Sequence, residues 1–559
     1  MIITNLIFEA YLNCPLKCFL LSTNVEGSTD SYDRWVGMEN ASYRHTLEKR
    51  LAAEIPPSEC LIHPEAIKNV KAAKWQLVLG VTLRQRNLES DVHAIKRIPS
   101  KGRETPNVRF VPIRFSFANK LTKNDKLVLA FDALVLAGSL GIPTSYGEII
   151  HGDGNIVTKV KTSELLKEVR KTVAKMESIL PESAGTPPGL FLNRHCTECE
   201  YQTRCRQEAI EKDDLTLLAG MTEQERKALA GRGIFTVTQL SYTFRPRRKA
   251  KRYQKSREKY HTSLKALSIR EQKIHVVGSD ALQIEGIPVY LDAEALPDKD
   301  FYYLVGLRVG GVQHVLWADS KEHERRIWHD LLAIVSNLVH PVIVHYGAFD
   351  AAFLKNMCDR YGSPETESVK ESIGNPINLL SFIFARIYFP TYSNGLKDIG
   401  RHLGFHWSQK NPSGIKTVMW RSEWERTHEP SLKERLITYN TEDCLALQRV
   451  TEFVAAISSP DNESTPNQEI VRADTLPRRS WFKWGKTRYV MPDLGEIGKA
   501  AYWDYQQEKI ILKSNPRLKE TRKVTARPPG AKVKPNKTIR CPAPDACVRC
   551  GYPTPYRHY

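Results

Sequence analysis

The sequence predicts an α/β chain of several domains. Its 559 residues exceed the usual domain of roughly 100–200 residues several-fold, and apolar strand-like runs alternate with helical periods along much of it. Hydrophobic residues at 41% and charged residues at 26% match globular averages and exclude general disorder. No apolar run approaches the roughly 18 residues needed to span a bilayer; residues 127–138 come nearest, and Asp132 interrupts them. Met1-Ile2-Ile3-Thr4-Asn5 lacks the basic start of a secretory signal, so a cytoplasmic protein without membrane contact is expected.

Taken in order, residues 1–212 read as a mixed α/β domain. A helix is expected over 6–21, strands near 75–83 and 108–117, a helix around 127–137, a strand at 147–151 and an amphipathic helix over 164–179. Residues 213–270 follow as two short helices around Gly231-Arg232-Gly233-Ile234 and then a basic linker. A second α/β domain spans 271–460. Residues 461–559 form a tail punctuated by Pro516, Pro528-Pro529, Pro535 and Pro542, a composition that disfavours packing.

The net charge of +19 is local. Residues 245–259 hold nine Lys/Arg against one Glu, and 513–540 hold ten against one Glu, so these two stretches carry 17 of the excess charges. Such concentration fits phosphate binding or a pair of solvated linkers. On the first reading Arg247, Arg248, Lys249 and Lys251 contact nucleic acid.

The chemistry lies in the second α/β domain. Val289-Tyr290-Leu291-Asp292-Ala293-Glu294-Ala295 reads as an apolar strand ending in Asp-x-Glu, and side chains at i and i+2 of a strand share a face. Residues 301–309 and 314–317 read as its sheet partners, with Gly310-Gly311 as the turn. A charged helix over 322–338 precedes a further apolar strand, expected over 342–350 and ending in Phe349-Asp350. Residues 436–444 open a helix on which Tyr439 and Asp443 share a face. Four carboxylates so arranged can hold two divalent cations that activate a water and steady the leaving oxygen of a phosphodiester. Hard oxygen ligands select Mg²⁺ or Mn²⁺.

On these motifs the chain resembles the tyrosine-bearing branch of the DEDD superfamily of 3′→5′ exonucleases, which are ribonuclease H-like. The resemblance implies that Asp292, Glu294, Asp350 and Asp443 bind the two cations and that Tyr439 orients the attacking water. The family's histidine branch would place His at position 438, which is Thr438. One departure is the second motif, where the family carries an Asn before the Asp and this chain reads His345-Tyr346-Gly347. Glu442 reads as a spectator beside Asp443. Asn394-Gly395-Leu396-Lys397-Asp398 resembles the Leu-Lys segment of such domains, so Lys397 either touches phosphate or is a solvated lysine at a helix start.

Cysteine spacing supplies a second signal. Cys196, Cys199 and Cys205 form Cys-x2-Cys-x5-Cys at one end of the first domain, and Cys14-Pro15 lies at the other. Clustered cysteines in an intracellular chain favour metal over disulfides, and zinc suits any Cys-x2-Cys. The pattern resembles RecB-type nucleases, including CRISPR-associated adaptation nucleases, whose restriction-endonuclease-like fold carries a [4Fe–4S] cluster. It implies that Cys14, Cys196, Cys199 and Cys205 clip the domain's two ends together, with Cys18 the competitor to Cys14. Where that family needs Glu-x-Lys, the strand Val111-Pro112-Ile113-Arg114-Phe115-Ser116 places Arg114 and Ser116. Asp91 is a candidate remaining acid and His45 a candidate upstream histidine. An Arg repels the cation that a Glu would bind, so this domain is expected to be catalytically degenerate. Residues 213–243 resemble a helix-hairpin-helix, and the whole order resembles a bacterial family of fused nucleases over about 460 residues.

In the tail, Cys541, Cys547, Cys550 and His558 offer the ligands of a small zinc motif, similar to that of some transposases. Together these readings predict a metal-dependent 3′→5′ exonuclease acting on nucleic acid, DNA before RNA, with protein partners in a mobile-element or defence complex. The rival is a non-catalytic nucleic-acid-binding subunit of such a complex, its exonuclease site vestigial.

Overall fold

The computed structural model describes residues 2–65, 67, 75–98, 109–180, 187–246, 260–278, 280–409, 413–458 and 469–476. It is a mixed α/β chain with two large sheets. The basic residues Arg247, Arg248, Lys249 and Lys251, and Cys541, Cys547, Cys550 and His558 of the tail, lie outside the described residues.

The first sheet runs in the order Cys60–Ile62, Leu77–Gln85, Leu88–Ile98, Arg109–Ser116, Gly147–His151 and Ile156–Val160, with Ile3–Thr4 pairing alongside Leu88–Ile98. The central strand Leu88–Ile98 escapes sequence reading because Glu89, Asp91, Lys96 and Arg97 break up its apolar run, although its residues alternate buried and half-buried over most of its length. Helix Lys123–Leu140 lies against the sheet. Thr122 caps it by accepting from the Asp125 backbone N–H while the Asp125 carboxylate accepts in return, and Gly141 ends it at φ 70°. This helix is apolar on nearly every face because it is buried.

The expected helix over 6–21 is two helices, Asn5–Asn13 and Pro15–Ser22. Proline disfavours the α region for the residue before it, so Cys14 is extended at φ −163°, ψ 124°. The break at Cys14 leaves Cys18 in the main core with Phe8, Phe131 and Val92.

Two acids of this unit, Asp132 on the helix and Asp91 on the central strand, are matched to arginines. Asp132, fully buried, accepts from Ser90 Oγ at 2.7 Å and from Arg114 Nη1 at 2.9 Å. Asp91 is paired with both terminal nitrogens of Arg44, whose Nε donates to Glu48 at 2.7 Å. His45, the suggested upstream histidine, is exposed on helix Tyr32–Ala53; its neighbour Arg44 is the residue that faces the acids.

Helices Glu223–Ala230 and Val237–Ser241, each capped by a threonine, pack through Ile234, Val237 and Leu240 onto Ala266 of helix Thr262–Glu271. Beyond them a three-stranded sheet joins Ile387–Tyr388, Ile274–Val276 and Ile470–Arg472. Its last strand comes from what sequence assigned to the tail.

The second large sheet has the order Val312–Trp317, Phe301–Val309, Ile287–Leu296, Pro341–His345 and Ile377–Asn378. The first three strands are antiparallel neighbours, and the last two run parallel to Ile287–Leu296 and to each other. The fourth strand ends at His345, earlier than expected. Gly347, at φ 93°, turns the chain, and Asp350 sits in the first turn of helix Phe349–Tyr361. The 29-residue helix Pro430–Ser458 lies across strands Ile287–Leu296 and Phe301–Val309. It approaches them closely at Gly306, where a Cβ would stand 2.2 Å from Asn440 Oδ1 and 2.7 Å from Cys444 Sγ.

The two large units touch at several points, among them Lys416 Nζ with Asp30 Oδ2 at 3.4 Å and a clamp at Asp298. Asp298, just past strand Ile287–Leu296, accepts from the backbone N–H of Asn119 at 2.7 Å and of Lys120 at 3.0 Å in the first unit. Among the described residues no helix is long and apolar enough to cross a membrane.

Removing one member of a buried ion pair strands the other. Arg114→Leu should therefore destabilise the first unit by about 3–5 kcal/mol, seen as an earlier first transition in urea. Adding Asp132→Asn to that chain should recover part of the loss, because no unpaired carboxylate remains.

Candidate active site

Asp292, Glu294, Asp350, Tyr439 and Asp443, together with Lys397, line one cavity of about 780 Å³. Strand Ile287–Leu296 supplies Asp292 and Glu294 on the same face, as the two-residue period requires. Helix Pro430–Ser458 supplies Tyr439 and Asp443, one turn apart. Ligand oxygens of Asp292, Glu294 and Asp443 lie within 4.8 Å of one another.

Each acid is held by a donor. Asn440 Nδ2 donates to Asp292 Oδ2 at 2.7 Å and to the Asp292 carbonyl at 3.0 Å. Thr417 Oγ1 donates to Glu294 Oε2 at 2.7 Å. The Ala293 backbone N–H donates to Asp350 Oδ1 at 3.1 Å. Asp443 accepts from Trp407 Nε1 and from Lys397 Nζ, both at 2.7 Å. Lys397 is thus neither a solvated lysine nor remote from the acids; its Nζ also stands 4.5 Å from the Tyr439 ring centre. Glu442 accepts from the Ser408 backbone N–H at 2.9 Å, away from the four acids.

Asn378, on the neighbouring strand, accepts from the Gly347 N–H at 3.1 Å and donates to the Gly347 carbonyl at 2.8 Å. The Tyr346 hydroxyl donates to the Asn394 carbonyl. The turn before Asp350 is therefore braced from both sides.

Four acids, all but the half-buried Asp292 buried, share one nearby lysine, and the proton affinities of three of them rise. Burial and the neighbouring Asp443, Glu294 and Asp350 push Asp292 well above the carboxylate range. Glu294 is pushed up to about 8, chiefly by burial, and Asp350 to about 7 for the same first reason. Tyr439, buried and facing Asp443, Glu294 and Asp292, is raised as well, so its phenol stays protonated. Excess negative charge on oxygen ligands is the donor chemistry that fits hard divalent cations.

Sequence reading missed Trp407, Asn440 and Thr417. Asn440, three residues before Asp443 on the same helix, carried a usable signal in that spacing. Trp407 and Thr417 come from a turn and from helix Gly414–Thr427, where nothing in their local sequence points to the acids.

Cys14, Cys196, Cys199 and Cys205 line a second, small cavity of about 20 Å³. The Asn193 N–H donates to Cys196 Sγ at 3.2 Å and the Tyr201 N–H to Cys199 Sγ at 3.5 Å. Asn193 Nδ2 also donates to the Asn13 carbonyl at 3.0 Å, joining the two ends of the unit. Burial pushes the Cys199 thiol up to about 12 and Cys205 up to about 11. Beside Cys199, the carboxylate of Asp33 accepts from Lys17 Nζ at 2.5 Å and lies 3.2 Å from His195 Nε2.

No curated protein matches the chain. Among solved structures, a family B DNA polymerase from the hyperthermophilic archaeon Pyrobaculum calidifontis aligns over 32% of this chain and 27% of its own, at 15% identity and a TM-score of 0.23. Residues 289–455 match the family model of the RNase_H superfamily. That span holds the three carboxylate-bearing segments, and it is an RNase H-like domain.

Proposed function

We propose that the RNase H-like domain is a 3′→5′ exonuclease of the DEDD tyrosine type. The observation that carries this reading is the convergence of Asp292, Glu294, Asp350 and Asp443 beside a protonated Tyr439 in one cavity. The four acids would hold two Mg²⁺ or Mn²⁺ ions. Bound there, such ions activate a water and stabilise charge on the phosphate oxygens. The protein's own part is orientation. Asn440 and Thr417 fix the carboxylates of Asp292 and Glu294, Trp407 fixes Asp443, and the Tyr439 hydroxyl can hold a water by donating or accepting a hydrogen bond. Lys397 adds a positive charge where a phosphate would enter. Nucleic acid is the partner, DNA before RNA, and the two basic segments are proposed to add grip. The arginine-matched acids of the first unit support a catalytically silent role for it.

The test is digestion of end-labelled DNA and RNA with Mn²⁺ or Mg²⁺. Asp292→Ala and Asp443→Ala should abolish release of nucleotides from the 3′ end while the fold persists. Asn440→Ala and Trp407→Phe, which remove only supports of the ligands, should lower turnover roughly 10–100-fold. Undiminished cleavage in both Ala variants would overturn the assignment.

Raised carboxyl pKa values favour the protonated folded state, so the associated stability is present below the unfolded value near 4.5 and fades as pH rises through about 7–8. Metal-free protein should therefore melt at progressively lower temperature from pH 5 to pH 8. Added Mn²⁺ should flatten that trend, because the ion replaces the protons. Thermal melts with EDTA and with Mn²⁺ check both statements.

For the cysteine pocket we propose a [4Fe–4S] cluster on Cys14, Cys196, Cys199 and Cys205, a donor set that also fits structural zinc. Anaerobically purified protein should then be brown, with broad absorption near 400 nm, and Cys196→Ser should be colourless and less stable. Colourless wild-type protein with one bound zinc would decide for zinc.

A further inference from the structure

The cavity that holds the acids is not built by the RNase H-like domain alone. Its opposite side is an aromatic wall from the first unit: Tyr32 and Trp35 on helix Tyr32–Ala53, and Phe117 just past strand Arg109–Ser116. The Trp35 ring stands 5.3 Å from Tyr32 and meets Phe117 edge-on at 5.7 Å. All three rings are half-buried, with part of their surface left open. Across from them Phe349, next to Asp350, is 44% exposed in the same cavity. Partly open aromatic rings lining the same cavity as the carboxylates are chemically unlike a metal site, and metal binding gives them no task.

The wall is fixed in register with the acids. The Asp298 clamp grips Asn119 and Lys120, two and three residues past Phe117, and Asp298 itself follows the strand that carries Asp292 and Glu294. Asn40, on the helix of Trp35, accepts from the Phe117 N–H at 3.0 Å. The rings and the acids are thus connected through short, hydrogen-bonded segments.

We propose that Tyr32, Trp35 and Phe117 form a base-binding subsite, so that the cavity takes an unpaired terminal nucleotide and rejects one still paired in a duplex. Every base presents a π-face, so aromatic rings bind single strands with little regard to sequence. The volume of about 780 Å³ falls in the range of small-molecule sites. With protein on both sides, a base enters only without its partner and its stacked neighbours, and unstacking is least costly at a strand that is already single. The inference deepens the exonuclease reading and rests on it for the position of the phosphate, but binding can be measured without cleavage.

The test uses the full chain with Ca²⁺ and a short fluorescent oligonucleotide, followed by anisotropy, as a single strand and as a blunt duplex. Wild-type protein should bind the single strand more tightly. Trp35→Ala should weaken single-strand binding roughly tenfold, the size of one lost base–aromatic stack, and leave duplex binding unchanged. Trp35→Phe should retain most of the affinity, and Phe349→Ala should show a loss in the same direction. Wild-type affinity in Trp35→Ala, or an equal loss for single strand and duplex, would overturn the subsite. Cleavage by wild-type protein and its loss in Asp292→Ala report separately on the exonuclease, so the two ideas fail in different assays.

Discussion

Confining four carboxylates to one cavity is the constraint around which the RNase H-like domain is arranged. Like charges at this separation repel, and burial removes the water that would screen them. The fold answers with neutral donors, one after another: Asn440 on Asp292, Thr417 on Glu294, a backbone N–H on Asp350, Trp407 on Asp443. One full positive charge, Lys397, is set against Asp443. The remaining imbalance appears as raised proton affinity in Asp292, Glu294 and Asp350. The sheet order and the long helix place the members of this cluster.

The first unit meets the same difficulty in the opposite way. The buried Asp132 is given Arg114 and the half-buried Asp91 is given Arg44, so their charge is compensated inside the protein. Two similar problems of charge held away from water are thus solved once by arginines and once chiefly by neutral donors. The first unit keeps two other assets: cysteines drawn together from both its ends, and a row of aromatic rings turned toward the neighbouring cavity.

Much of this was legible in the sequence, for reasons that differ by element. Asp292 and Glu294 were readable because strand alternation ties spacing to direction, and Tyr439 and Asp443 because helical periodicity does the same. Cys14 was named from a family resemblance in the cysteine spacing, whereas the break that Pro15 imposes at Cys14 was passed over by the reading of 6–21 as one helix. Asp350 was expected at the end of a strand and sits instead in the first turn of a helix, because Gly347 turns the chain. Strand Leu88–Ile98 was lost for the converse reason, its polar face breaking an apolar pattern. Trp407, Thr417 and the aromatic wall could not be read at all. They meet the acids only through tertiary packing, and no interval along the chain encodes that meeting.

Gly306 shows how narrowly such packing is drawn. It lies opposite Asp292 in the sheet register and directly beneath Asn440, the residue that holds Asp292. One methyl group there would intrude on both Asn440 and Cys444 at once. Sequence drift at this position therefore has no gentle first step: even alanine must displace the long helix or its asparagine, and through either one it reaches the carboxylates. The spacing between sheet and helix is set by the absence of a side chain, and a lineage that keeps the cavity in this form has to carry that absence unchanged.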